Sequence, residues 1–352
     1  MVPSVAENGK DAIGKLKELW YAGLIRNRRG SAMFEVLETA KNVSEKSRHV
    51  RINHEALKKF AQELAESSTP TPTWDAWHHF IGNDEETVAY LLVVDSVNFC
   101  FWPPSGGKKW EISYRGKNYS GYYGLAVSLK RALESKIPLT DASFLASLTL
   151  KQVKDVLAGT GVLQLMEERL NNLQELGRVL LEKYKGQASD LVAAAGGSAI
   201  KLVGMLAADF PSFRDQATYQ GQKVFFYKRA QLFAADLHGA LDGKGLGSFS
   251  DMKELTAFAD YKLPQVLRHV GVFTYSPGLA EKVDRVIYLN PGSDGEVEIR
   301  ASTIWAAELI RQEMKYLGKD VNASEIDWLL WNLGQDDRFR AKPYHRTVTT
   351  FY

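Results

Sequence analysis

Cysteine is nearly missing from this chain. Its 352 residues include one, Cys100, which excludes an intrachain disulfide framework and any zinc site built on cysteine. An excess of either charge is missing too: 44 Lys and Arg stand against 42 Asp and Glu, a formal net charge of +2. That balance leaves small anionic ligands open but gives no bulk electrostatic basis for wrapping nucleic acid. No apolar run is long or pure enough to span a bilayer. The longest, Leu191 to Ala208, is interrupted by Gly196, Gly197, Ser198 and Lys201. Met1 to Lys10 is polar, carries Pro3 and lacks the apolar stretch of a secretory leader, so a reducing compartment, cytoplasmic or nuclear, is expected. What is present is ordinary globular composition, 45% hydrophobic and 24% charged, slightly rich in rings at 11% aromatic. The length allows one large domain or two closely packed ones.

Most segments read as helix. Residues 54–66 place Leu57, Phe60 and Leu64 at helical spacing, and a Ser/Thr/Pro run at 67–73 closes them off. Residues 151–186 form a helix-rich stretch whose apolar face includes Leu163, Leu165, Leu170, Leu173, Leu176, Leu180 and Leu181. The clearest strand signal is the β-branched and aromatic run 87–102, which ends at Pro103-Pro104. Trp110 to Tyr114, an Arg115-Gly-Lys turn and Asn118-Tyr119 predict an antiparallel hairpin. Val297 to Ile299 is a second strand candidate, ahead of a helix starting near Ser302. No repeat, low-complexity tract or linker divides the chain. The fold class is therefore mostly α with a small antiparallel β-sheet: one domain over 1–352, with an N-terminal lobe to about residue 145 as a possible subdivision.

Familiar catalytic patterns are also missing. There is no P-loop, no G-x-G-x-x-G after a strand, no H-E-x-x-H and no nucleophile elbow. The seven histidines show no metal-ligand spacing, and Cys100, inside an apolar run, reads as an inert buried thiol. What remains is acidic residues among rings. Asp260 lies between Phe258 and Tyr261, just before Leu263-Pro264, and fits either a helix cap or a pocket carboxylate. Asp327, Trp328 and Asn332 share a short segment opening in a capping-box-like Ser324-Glu-Ile-Asp327, with Trp328 and Asn332 on one helical face. Asp95 and Asn98 are polar interruptions of the main apolar run, suited to a turn or to a ligand. Tyr227 to Gln231 precedes an amphipathic helix, and its cations suit either a solvated face or a phosphate.

Seven blocks in register carry a resemblance over nearly the whole chain: Asp95 to Trp102, Tyr114 to Tyr122, Phe210 to Asp215, Phe226 to Gln231, Phe258 to Leu267, Trp305 to Arg311, and Pro343 to Arg346 with Phe351-Tyr352. Together they resemble the queuosine salvage family of queuosine 5′-phosphate N-glycosylase/hydrolases. The resemblance implies a helical body related to helix-hairpin-helix DNA glycosylases. It implies hydrolysis of queuosine 5′-monophosphate, with release of queuine for tRNA modification, and no cofactor, metal, membrane or direct nucleic-acid partner. Two other readings compete with it: a catalytically impaired queuosine-binding protein, and a nucleic-acid glycosylase.

Breaking an N-glycosidic bond builds positive charge on the ribose, which a nearby carboxylate stabilises or attacks. Queuine is a 7-deazaguanine, so it lacks the N7 that other purine hydrolases can protonate. Phe258, Tyr261 and Trp328 are expected to hold the flat base, and Asp260 and Asp327 to read its edge or its cyclopentenediol. His78, preceded by Trp74 and Trp77, is expected in the pocket as a family histidine. Lys228, Arg229, Lys262, His345 and Arg346 are the candidates for the 5′-phosphate. After Leu330-Trp331 the family carries an aspartate assigned to catalysis, and this chain has Asn332. An amide brings no charge, so either turnover is impaired or the charge comes from Asp260 or Asp336.

Overall fold

The computed structural model describes residues 32–67 and 74–352. Met1 to Lys10 and most of the Ser/Thr/Pro run lie outside the described residues. In chain order the elements are α1 (Ala32–Lys46), β1 (Val50–Ile52), α2 (His54–Glu66), α3 (Asp84–Ser96), β2 (Glu111–Tyr114), β3 (Lys117–Ser120) and α4 (Gly121–Glu134). Then come α5 (Ala142–Ala146), α6 (Leu150–Val156), α7 (Met166–Lys183), α8 (Ala188–Ala194), α9 (Ala199–Asp209), β4 (Gln216–Tyr219) and β5 (Gln222–Phe225). The last are α10 (Lys228–Ala240), α11 (Lys262–His269), β6 (Phe273–Tyr275), α12 (Pro277–Asp284), α13 (Asp294–Tyr316) and α14 (Ala323–Leu333).

The molecule is mostly helical, and its six described strands make three separate antiparallel pairs rather than one small sheet. The hairpin β2–β3 forms as its sequence predicts, with Ile112 opposite Tyr119. Its two-residue turn puts both Arg115 and Gly116 at positive φ, the twist that matches a tight hairpin. The β4–β5 hairpin pairs Gln216 with Phe225, and β1 pairs with the distant β6, Val50 opposite Tyr275.

Two strand expectations are overturned. Residues 84–96 are the helix α3, and 97–102 continue without regular structure. The apolar run misleads because α3 is buried all round from Thr87 to Ser96, so it shows no amphipathic period. Its start is nevertheless written in the chain: the Asn83 side chain accepts from Glu86 N–H and the Glu86 carboxylate accepts from Asn83 N–H. Val297 to Ile299 lies inside α13, again buried on every side. The helix-rich stretch 151–186 is two helices, α6 and α7. Between them an irregular link pairs Thr160 with Glu111.

Two apolar clusters form the core. The larger runs from Val36 to Tyr352 and draws residues from both sides of residue 145. The smaller gathers α2, α11, β6 and α14 around Leu263, Val266 and Ile310. Helix α13 serves both, giving Val297, Ala301 and Ile304 to the first and Ile299, Ala306 and Ile310 to the second. The candidate site opens beside this shared helix.

Candidate active site

Helix α10 supplies one wall. Its start is an uncommon turn: Tyr227 adopts a left-handed conformation (φ 47°, ψ 36°), and the N–H groups of Phe226 and Tyr227 both donate to the Asp215 carbonyl. The next N–H, of Lys228, donates to the Asp215 carboxylate. That carboxylate is held in turn by the buried Arg300 of α13, with contacts of 3.0 and 2.6 Å. Arg300 also donates to the Ala259 carbonyl, beside Asp260, and its guanidinium lies 3.9 Å from the Phe226 ring and 4.5 Å from Tyr352. One buried cation thus ties four segments of the site to α13.

From this start, Lys228, Leu232 and Asp236 follow at four-residue spacing on one face of α10 and line a cavity of about 420 Å³. Further along, Gly239 leaves room for two indoles. A Cβ there would meet Trp328 at 3.1 Å and Trp74 at 3.3 Å. The opposite wall comes from Phe258, Asp260 and Tyr261 before α11, and from Asp327, Trp328, Trp331 and Asn332 of α14. Tyr122 and Tyr123 of α4 pack edge-on against Trp331.

Asp260 serves as cap and pocket group at once. Its Oδ1 accepts from Lys262 N–H at 2.8 Å and Leu263 N–H at 3.0 Å, fixing the carboxyl at the start of α11. Asp327 Oδ1 accepts from Phe258 N–H at 2.7 Å, joining α14 to the Asp260 segment. The capping box of α14 is formed by Asn322 with Glu325, not by Ser324. This frees Asp327 from the helix end and lets it face the cavity.

Charge in the cavity is lopsided. Lys228 faces Asp260, Asp95 and Asp327, and burial lowers its pKa against their pull. Burial raises all four nearby carboxyls: Asp95 to about 7, Asp260 above its usual range, and Asp236 and Asp327 well above it. Mutual repulsion adds to burial for Asp236 and Asp327. Such a cluster holds its protons more tightly than free carboxyls do, and it favours any ligand that brings or develops positive charge.

Of the sequence candidates, Lys228, Phe258, Asp260, Tyr261, Asp327, Trp328 and Asn332 meet in this cavity. Asn332 stands at its exposed rim, where its Nδ2 donates to the Trp328 carbonyl at 2.7 Å. Five candidates lie elsewhere. His78 pairs with Asp75 at 2.5 Å and packs on Tyr119 and Tyr123; its neighbour His79 is the one that lines the cavity. Adjacent residues point apart, and Trp74 stacks against His79 at 4.4 Å. Arg229 is buried beneath the site, donating to the carbonyls of Asp95, Ser96 and Ser212. Lys262 donates to the Gly334 carbonyl over the Tyr344 ring. Burial, helped by Arg340, lowers its pKa to about 8. His345 is sealed in the core against the Tyr352 hydroxyl, and Arg346 lies over Tyr344. Asp336, the other charge considered, pairs with Arg338 outside the cavity.

Sequence reasoning missed Asp236, Tyr122, Trp331 and His79 as site residues. The four-residue spacing of Lys228, Leu232 and Asp236 was the available signal for the first, and the block Tyr114 to Tyr122 was the signal for Tyr122. Trp74 adds a further feature: its Nε1 is buried without a hydrogen-bond partner among the described residues, a donor left for a ligand.

An aspartate-rich, aromatic-walled cleft in a mostly helical body has the form of a small-molecule site. The family model described as queuosine salvage protein matches residues 78–352, and the chain belongs to that family. A Sphaerobacter thermophilus protein named queuosine 5′-phosphate N-glycosylase/hydrolase is 48% identical over 317 residues, 90% of this chain and 97% of its own length. Proteins of the same name from Mus musculus and Schizosaccharomyces pombe are 38% and 33% identical. They match 90% and 89% of this chain, and 98% and 94% of their own lengths.

Proposed function

We propose that this chain is an N-glycosidase that hydrolyses queuosine 5′-monophosphate, releasing queuine and ribose 5-phosphate. The observation that carries the reading is a cavity whose aromatic walls and buried Asp236, Asp260 and Asp327 surround Lys228, with the buried Asp95 also acting on that lysine. The rings of Phe258, Tyr261 and Trp328 suit the flat base. The aminomethyl arm of queuine carries a secondary ammonium, and surplus carboxylates suit it.

As the C1′–N bond lengthens, positive charge grows on the ribose. Asp260, immobilised by two main-chain N–H donors, supplies the fixed negative charge opposite it. Burial disfavours that charge in the empty site, and the developing cation makes it favourable. In this reading Asn332 shapes the rim and the stabilising charge does not depend on it. Lys228, the one phosphate candidate that lines the cavity, holds the 5′-phosphate.

The same reading takes the chain as one domain acting in the cytoplasm on a free mononucleotide rather than on nucleic acid. Among the described residues no helix is long and apolar enough to cross a membrane. A kinship with helix-hairpin-helix glycosylases belongs to this reading too, supported by the helical body around an acidic pocket.

Incubation with queuosine 5′-monophosphate, followed by mass spectrometry, tests the function. Free queuine and ribose 5-phosphate in equal amounts are expected. Intact nucleotide after many hours would overturn it.

A further inference from the structure

Residues 97–102 leave α3 without regular structure, yet their main chain is held firmly. Arg169 of α7, fully buried, donates to the carbonyls of Val97, Phe99 and Cys100, on both sides of Asn98. Arg229 takes the carbonyls of Asp95 and Ser96, Asn172 also takes Ser96, and Gln164 takes Trp102 at 2.8 Å. None of these four side chains lines the cavity. Cys100 adopts a left-handed conformation (φ 45°) that turns the chain, and Asn98 and Phe101 on either side of it do line the cavity. The polar side chain this frame presents is that of Asn98, 5% exposed. A carboxamide has two N–H donors and an oxygen with two lone pairs. Asp95 draws on one N–H, and the other N–H and the oxygen have no partner among the described residues.

We propose that Asn98 reads the sugar: its carboxamide pairs with the 2′,3′-cis-diol of the ribose and selects a ribonucleotide over its deoxy forms. This rests on the N-glycosidase reading above, with Lys228 on the phosphate. Vicinal cis hydroxyls present an O–H donor beside an acceptor oxygen, and the free N–H and oxygen of the amide are the matching pair. Arg229, next to Lys228, ties Asp95 and Ser96 to the start of α10, so Asn98 stands at the Lys228 end of the cavity. Asp260, which serves C1′, faces Lys228 at the same end. The indoles of Trp74 and Trp328 mark the other end, against Gly239, about 16 Å further along the helix. The cyclopentenediol, the other cis-diol of the substrate, is the group furthest from the phosphate and falls at that indole end.

Such a group discriminates through what it loses. With a deoxy ligand the buried amide is cut off from water and left unpaired, and that costs more than the hydrogen bond gains. The pinned carbonyls keep the main chain from moving to find the amide another partner. An Asn98 that only held the segment together would instead affect every substrate alike, so the ratio between substrates separates the two roles.

The test measures kcat/KM for queuosine 5′-monophosphate and for its 2′-deoxy and 3′-deoxy forms, in the unaltered chain and in Asn98→Ala. The substitution is expected to lower the ratio of ribo to deoxy kcat/KM by about 5–150-fold for each deoxy form. A 2′-deoxy glycosidic bond is intrinsically more labile, but that difference is common to both proteins and cancels. Asn98→Leu, close in size to the amide, supplies the same ratio should the alanine protein not fold. Discrimination against 7-aminomethyl-7-deazaguanosine 5′-monophosphate, which lacks the cyclopentenediol, should not change. Equal slowing of ribo and deoxy substrates, an unchanged ratio, or a loss confined to the cyclopentenediol comparison would overturn the proposal. An unaltered chain that cleaves none of these nucleotides would overturn the N-glycosidase reading itself, and the proposal with it.

Discussion

Lys228 and Arg229 are adjacent in the chain and have opposite roles. A helix turns about 100° per residue, so one faces the cavity and the next faces the core. Lys228→Met should therefore reduce discrimination between nucleotide and nucleoside by roughly 10–150-fold, the value of a charged hydrogen bond, and leave thermal stability nearly unchanged. Arg229→Met should do the reverse. It removes a donor from three main-chain carbonyls, of which Ser96 keeps Asn172 and those of Asp95 and Ser212 lose their side-chain partner, and should lower stability by about 2 kcal/mol or more, with discrimination unchanged in whatever protein folds. Paired KM measurements on nucleotide and nucleoside, with thermal melts, separate the two. The sequence marked both as phosphate candidates because spacing within a block does not say which way a buried cation points. It offered Asp260 as a cap or a pocket carboxylate, since Leu263-Pro264 locates the helix start and the flanking rings suggest a pocket; its carboxyl caps α11 and lines the cavity.

Among elements, amphipathic ones were legible and fully buried ones were not. Helix α2 and the β2–β3 hairpin each have a polar face that sets their period. Helices α3 and α13 are surrounded, so their apolar runs carry no period, and β-branched residues made them resemble strands. What α13 contributes to the site was likewise hidden in sequence, because Arg300 acts on Asp215 and Ala259 far away in the chain. Arg300→Met removes the partner of a buried carboxylate. It should cost about 3–5 kcal/mol in urea denaturation at pH 7. Loss of less than 1 kcal/mol would show that Asp215 finds another partner.

The whole molecule carries two opposed pH dependences. Asp95 has its pKa raised to about 7 on folding, so the stability associated with its proton is complete below about pH 4 and is lost as pH rises through 7. His79 and His345 have theirs lowered to about 3, so stability is lost instead as pH falls below about 6.5. Asp95→Asn should thus leave the melting temperature unchanged near pH 4 and raise stability by roughly 1–4 kcal/mol at pH 8. A constant offset at both pH values would assign Asp95 a purely steric role. At this scale the helical class and the family blocks were legible along the chain, whereas the meeting of α3, α4, α10, α11 and α14 around one lysine is a tertiary fact that no local pattern holds. The central claim is that fixed charge at Asp260 drives the bond cleavage with Asn332 in place. Single-turnover queuine release measures it most directly, for the chain as it stands, for Asp260→Asn and for Asn332→Asp. The amide at 260 keeps a cap oxygen and loses the charge, so it should slow release by at least 10²–10³-fold at near-native stability, with the unaltered chain active. An unaltered chain that is inert until Asn332 becomes aspartate, or an Asp260→Asn protein that releases queuine at the full rate, would contradict the account.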